Sequence, residues 1–168
     1  ENGFFSFIYL DDGTLIRVHK NSELYIRGKV DSKAITKRVS IGNGSIRFDV
    51  KKQKNEEFTV VTPTSVASVK GTNFFINIDE KGDNFYGFEG VVEILNKESN
   101  SIIKLTKNTK VISLTDGTLN IEPLSQEDLN LIQDIESSSG EGMNDEIIPE
   151  GSGEMNEEQD TSEEEVKE

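Results

Sequence analysis

Residues Thr59–Gly90, TVVTPTSVASVKGTNFFINIDEKGDNFYGFEG, decide the fold class. Phe58–Val61 is a β-branched and aromatic run that stops near Pro63, which cannot donate to a strand ladder. Val66, Ser68 and Lys70 then alternate with Ala67 and Val69. Phe74, Ile76 and Ile78 alternate in the same way with Phe75, Asn77 and Asp79. A period of two sends successive side chains to opposite faces, so these runs predict strands. Glu80-Lys81-Gly82-Asp83 predicts a hairpin turn. Phe85–Glu89 and Val91–Leu95 read as two more strands, hinged at Gly90.

The same grammar extends in both directions. Phe5, Phe7 and Tyr9 share a face, and Leu15–Val18 follows the turn at Asp11–Thr14. Leu24–Ile26 and Lys37–Ile41 are further strands. Gly42-Asn43-Gly44 predicts a turn, because Gly and Asn accept positive φ cheaply. Ile46, Phe48 and Val50 then point one way. Ile102–Leu105, Val111–Leu114 and Leu119–Ile121 complete the series. One pattern occurs twice: Leu15–Leu24 and Ile102–Val111 both read strand, Lys-Asn-Ser/Thr turn, strand. A repeated unit of this kind points to stacked hairpins or solenoid-like coils. The one predicted helix is Ser125–Ile135. Ser125 is its N-cap, Asp128 faces the positive end of the dipole, and Leu124 staples to Leu129. Leu129, Ile132 and Ile135 form its apolar stripe.

Charge is unevenly distributed. Residues 1–134 hold 19 acidic and 17 basic side chains, whereas residues 135–168 hold 13 and one. The chain of 168 residues, net −14, is thus a nearly neutral body with an acidic tail. That balance argues against nucleic acid, which needs clustered Lys and Arg. The tail, rich in Ser, Gly and acids, buries too little apolar surface to offset the entropy of ordering and predicts disorder. No apolar run approaches the ~20 residues of a membrane span. Phe4–Leu10 is too short for a signal peptide and has no basic lead-in.

Catalytic and metal chemistry find little material. Cysteine is absent and His19 is the single histidine, so neither a thiolate zinc site nor a Cys-His or Ser-His-Asp set can be assembled. His19 lies near a turn in a register that predicts surface exposure. Gly140–Gly153 places glycines among acids, which repels phosphate. The tail lacks the spacing of a calcium loop. No catalytic, cofactor or metal residue is assigned, and no cofactor is expected.

Several blocks resemble, in order, the FecR domain family. Asp11–Val18 with Asn21–Leu24 is similar to its "DGs.v.l…nS.l" element, and Gly44–Val50 to "G.v.f.v". Phe58–Pro63 with Val66–Phe74 is similar to "f.v.tP….v.GT.F", and Glu89–Ile94 to "eG.v.v". The resemblance covers about residues 3–122. It implies an extracytoplasmic all-β domain of bacteria, residing in the periplasm or cell envelope. In iron-transport regulators such a domain is the periplasmic part of an anti-sigma factor. The resemblance also implies that the chain begins inside the domain, as a piece of a longer precursor whose leader lies upstream. Gly13, Gly44, Pro63, Gly71, Thr72, Phe74 and Gly90 are the motif positions. Their residue types point to structural work: glycines at turns or bulges, Pro63 ending a strand, and Thr72 bonding local backbone through its hydroxyl.

The expectation is an all-β fold, either a twisted two-layer antiparallel sheet or a β-solenoid-like domain, with one short C-terminal helix and a disordered acidic tail. The expected segments are a FecR-like domain over 1–122, a capping helix over 123–136 and the tail over 137–168. The expected function is non-enzymatic protein interaction or signalling with another protein as partner. The alternative is a structural, surface-assembly role with self-association.

Overall fold

The computed structural model describes residues 6–9, 13–31, 34–52 and 58–138. In order these form β1 (Ser6–Tyr9), β2 (Leu15–Val18), β3 (Glu23–Asp31), β4 (Ala34–Asp49), β5 (Phe58–Val61) and β6 (Ser65–Val69). Next come β7 (Asn73–Asp79), β8 (Gly82–Glu89), β9 (Val92–Asn96), β10 (Ile102–Leu105), β11 (Thr109–Leu114), β12 (Leu119–Pro123) and α1 (Gln126–Ser138). The mostly-β architecture with one short C-terminal helix is as the sequence predicts. Most of the acidic tail lies outside the described residues; Ser137 and Ser138, expected in that tail, belong to the helix.

The described strands make one nearly closed sheet, in the path β10-β9-β6-β5-β4-β7-β8-β11-β12. At its two ends β10 lies beside β12. The bend in this path is β4. Its first part, Ala34–Asn43, pairs with β3, while Gly44–Asp49 pairs with β7. β4 therefore belongs to two half-sheets. One holds β1, β2, β7, β8, β11 and β12; the other holds β3, β5, β6, β9 and β10. The turn expected at Gly42-Asn43-Gly44 is thus a bend within one strand. Its cause is local. Gly44 has φ +96°, and a Cβ there would lie 2.5 Å from Ser22 Cα. The register slips at Glu23/Leu24, where the strand turns toward the other half. Ser22 fixes the corner, accepting from Ser45 N at 2.8 Å. A second departure is β5, which runs parallel to β4; every other pairing among the described strands is antiparallel.

Both half-sheets contribute to one core. Ile16, Ile46, Phe48, Phe74, Ile76, Phe85 and Val111 come from one, and Val39, Val60, Ala67, Val69 and Ile94 from the other. Phe48 and Phe74 stack with centroids 4.9 Å apart. Each such side chain contributes about 1.5–3 kcal/mol on burial, so this cluster carries most of the stability. The twice-occurring sequence pattern has a geometric counterpart. Asn21 and Asn108 both sit at positive φ, 57° and 61°. Each turns the chain from one half-sheet into the other, from β2 to β3 and from β10 to β11. Asn does this at lower cost than other non-glycine residues because it tolerates the left-handed region.

Candidate functional site

The motif positions are not gathered at one point. Gly13 is exposed ahead of β2, and Gly44 is at the β4 bend. Phe74 is in the core. Three of them meet at the corner after β6. Gly71 has φ +82° and packs against the backbone of Lys52, where a Cβ would sit 2.7 Å from Lys52 Cα. Gly90 packs against Thr72, with 2.6 Å between its would-be Cβ and Thr72 Cγ2. Thr72 O accepts from Val50 N at 2.9 Å. The hydroxyl bond expected of Thr72 is not found among the described residues, where its Oγ1 is buried without a partner.

Pro63 is exposed, but the loop around it leads to the most concentrated polar cluster. Asp83 lies on the inward side of β8, two residues before the core residue Phe85, and is fully buried. Its Oδ2 accepts from the hydroxyls of Thr62 and Thr64 and from Thr64 N at 3.0 Å. Thr64 Oγ1 also lies 3.1 Å from Ser113 O. Ser65 Oγ is 2.7 Å from Ser113 Oγ, and Asn96 Nδ2 donates to that oxygen at 2.8 Å. Asn96 Oδ1 accepts from Glu98 N and Ser99 N at 2.9 and 3.0 Å. Lys97 reaches over the top, donating from Nζ to Thr62 O and to Pro63 O. Burial lowers the Lys97 pKa, the Asp83 charge opposes that shift, and Arg38 adds to it.

This network joins the β5–β6 loop and β9 of one half-sheet to β8 and β11 of the other. It therefore closes one end of the core with hydrogen bonds instead of apolar contacts. Above it is a cleft of about 160 Å³ lined by Pro63, Thr64, Lys97, Glu98, Leu114 and Thr115. Asp83 Oδ2 and the two hydroxyls are turned toward one another beneath that cleft, while Asp83 Oδ1 is buried without a hydrogen-bond partner among the described residues. Sequence reading missed Asp83, Asn96 and Ser113. The available signal was parity: Asp83 shares the inward face with Phe85, and a charge at an inward strand position requires built-in partners.

The outer face of the first half-sheet is covered. Arg17, Arg47, Phe75, Tyr86 and Lys110 form one row across the strands by direct register. Helix α1 lies along this row. Ile132 packs with Phe75 and Tyr86, flanked by Leu124, Ile135 and Phe88. Asp128 pairs with Lys110 at 2.9 Å and Glu136 with Arg47 at 3.2 Å. The Arg47 guanidinium also sits 3.9 Å over the Phe88 ring. Ser125 and Asp128 form a reciprocal cap, with Ser125 N donating to Oδ2 at 3.0 Å and Asp128 N to Oγ at 3.1 Å. Leu129 departs from expectation. It is 38% exposed, and the stripe is carried by Ile132 and Ile135. His19 departs as well. It is 2% exposed, its ring 5.6 Å from Phe75. Burial, then Arg17 and Arg47, lower its pKa to about 4. A strand-end position reads as surface in sequence because the sequence does not show that this outer face is occupied.

Among the described residues no group of three acidic or histidine side chains converges as a metal site. Among them, too, no helix is long and apolar enough to cross a membrane. The geometry defines an all-β domain whose principal buried polar cluster ties its own loops together. The FecR protein family model matches residues 5–93, more than half of the chain, and the chain belongs to that family. No curated protein matches significantly. Two crystal structures of a proposed anti-sigma factor from Parabacteroides distasonis are similar. The first, at 1.65 Å, has a TM-score of 0.63 and 19% identity, over 78% of this chain and 61% of its own. The second, at 2.50 Å, has a TM-score of 0.61 and 21% identity, over 76% and 59%. At that identity they bear on the fold, and this chain spans about three fifths of their length.

Proposed function

We propose that this chain is a non-enzymatic recognition module of extracytoplasmic signalling, working in the periplasm or envelope of a bacterium and binding another protein through its β surface. Family membership over residues 5–93 carries this reading. The likeness to a proposed anti-sigma factor supports it. So does the self-directed use of the buried polar cluster, which engages Asp83 with its own loops. On this reading residues 1–122 are the recognition body, 123–136 are the helix that caps it, and 137–168 are an acidic spacer. Gly13, Gly44, Pro63, Gly71, Thr72, Phe74 and Gly90 serve the scaffold and touch no partner.

Affinity capture from envelope extract, with the full chain and with a variant ending at Ser138, tests the proposal. Retention of one partner by both places recognition on the β body. Turnover of a defined substrate, lost on a point substitution, would refute it. A structural role has its own support in β3, a nine-residue strand that among the described strands pairs with β4 alone. Such an open edge can pair with another chain. Self-association with no other partner would favour that role.

A further inference from the structure

The second half-sheet carries a row of side chains on its outer face that nothing described covers. The register is direct from strand to strand: Tyr25 opposes Ser40, Ser40 opposes Val61, Val61 opposes Val66, Val66 opposes Leu95, and Leu95 opposes Ile102. These residues point away from the core, because their neighbours Val39, Val60, Ala67 and Ile94 are fully buried within it. Five of the six are apolar or aromatic. Tyr25 is 56% and Ile102 66% exposed, and Val61, Val66 and Leu95 are half-buried. Five strand spacings of about 4.8 Å make the row about 24 Å long, the length of a helix of about 16 residues.

The next row runs Arg27, Arg38, Thr59, Ser68, Glu93, Lys104. Arg27 and Arg38 are directly opposed and exposed. Like charges so placed repel, and a carboxylate between them relieves the cost. Among the described residues no acid pairs with either one.

The first half-sheet shows how a related arrangement is satisfied, with the arginine pair in the aromatic row itself. There Arg17 directly opposes Arg47 in a row that continues through Phe75 and Tyr86. The occupant is α1, lying across the strands. Asp128, Ile132 and Glu136, spaced by four residues, meet Lys110 on β11, Phe75 and Tyr86 on β7 and β8, and Arg47 on β4. Eight residues of helix rise about 12 Å, close to the roughly 14 Å across those three strand spacings. A row of two aromatic rings and three cations, with an opposed arginine pair within it, is thus met by an amphipathic helix that brings apolar side chains and acids.

We propose that the outer face of the second half-sheet docks an acidic amphipathic helix of a partner protein, seated along Tyr25–Ser40–Val61–Val66–Leu95–Ile102 with a carboxylate between Arg27 and Arg38. This rests on the reading of the chain as a recognition module and assigns that module its surface. The partner helix lies across the strands, so its affinity comes from apolar burial and charge instead of ladder hydrogen bonds.

The test uses the full chain and a helix-stabilised peptide with leucines at i, i+3, i+4 and i+7 flanked by glutamates. A version with lysines in place of the glutamates is the control. Binding is followed by NMR amide shifts and by anisotropy of the labelled peptide. The expected result is saturable binding of the acidic peptide at least tenfold tighter than the lysine control, with shifts on β3, β4, β5, β6, β9 and β10. Ile102→Asp should weaken it at least tenfold, and the Arg27→Glu, Arg38→Glu double variant should reverse the peptide preference. Tyr25→Asp repeats the test at the other end of the row, should Ile102→Asp unfold the chain. No saturable binding, equal binding of both peptides, or shifts confined to β7, β8 and α1 would overturn the proposal. So would the same substitutions abolishing self-association or binding to anionic vesicles while leaving peptide binding intact. If envelope capture survives Ile102→Asp and the double arginine variant, the recognition function stands and this surface assignment fails.

Discussion

Replacing Asp83 with alanine should reveal how much the polar closure of the core contributes. The substitution removes the acceptor of three donors: the hydroxyls of Thr62 and Thr64, and Thr64 N. The hydroxyls have alternatives, Ser65 O at 3.3 Å for Thr62 and Ser113 O at 3.1 Å for Thr64. Thr64 N has none, and a buried orphan donor costs about 1–3 kcal/mol. Weakened hydroxyl bonds and a small void add about 1–2 kcal/mol, while release of a desolvated carboxylate returns part of the sum. We expect a net loss of about 2–4 kcal/mol. In urea unfolding followed by circular dichroism, that lowers the midpoint by on the order of 1–2 M at unchanged slope. Thr64→Val retains the N–H bond and should cost less, about 1 kcal/mol. The double variant should be clearly less destabilised than the sum of the two. A change of under about 0.5 kcal/mol for Asp83→Ala would refute the reasoning and reduce the network to incidental contact.

Three further outcomes are expected. Gly71→Ala should cost about 2–4 kcal/mol, since it adds a left-handed penalty to a clash with Lys52 backbone, whereas Gly13→Ala, with its nearest atom 3.7 Å away, should cost about 1 kcal/mol; paired urea melts compare them. His19 is neutral in the fold with its pKa lowered to about 4 against 6.5 in the unfolded chain, so the unfolded state binds more protons between those values. Stability should therefore be full above about pH 6.5 and fall as pH drops toward 4, by at most about 3 kcal/mol, and His19→Gln should flatten that part of a melting-temperature profile. Ser125→Ala removes the cap of α1 and should cost about 1 kcal/mol, read as faster hydrogen exchange in the helix with little change in the β7 and β8 amides.

The strands, most of their turns and the helix with its cap are legible in the residues alone, because period-two patterning, glycine conformations and N-cap chemistry are local properties. Phe74, Ile76 and Phe85 are inward by parity alone, and Asn21 and Asn108 mark their corners by residue type. Tertiary structure decided what local rules do not encode. Gly42-Asn43-Gly44 could equally end a strand or bend one, and only the closeness of Ser22, just ahead of β3, and the pairing with β7 make it a bend. The direction of β5 beside β4 is a choice of topology. His19 is buried beside Phe75, and Leu129 is exposed because α1 lies along one outer face with a particular rotation, a placement set by Arg47, Phe75, Tyr86 and Lys110 on four different strands. Asp83 is stable inside only because a loop from the opposite half-sheet delivers Thr62 and Thr64 to it. Burial and charge pairing depend on which distant segments meet, and that is fixed only when the sheet closes around its core.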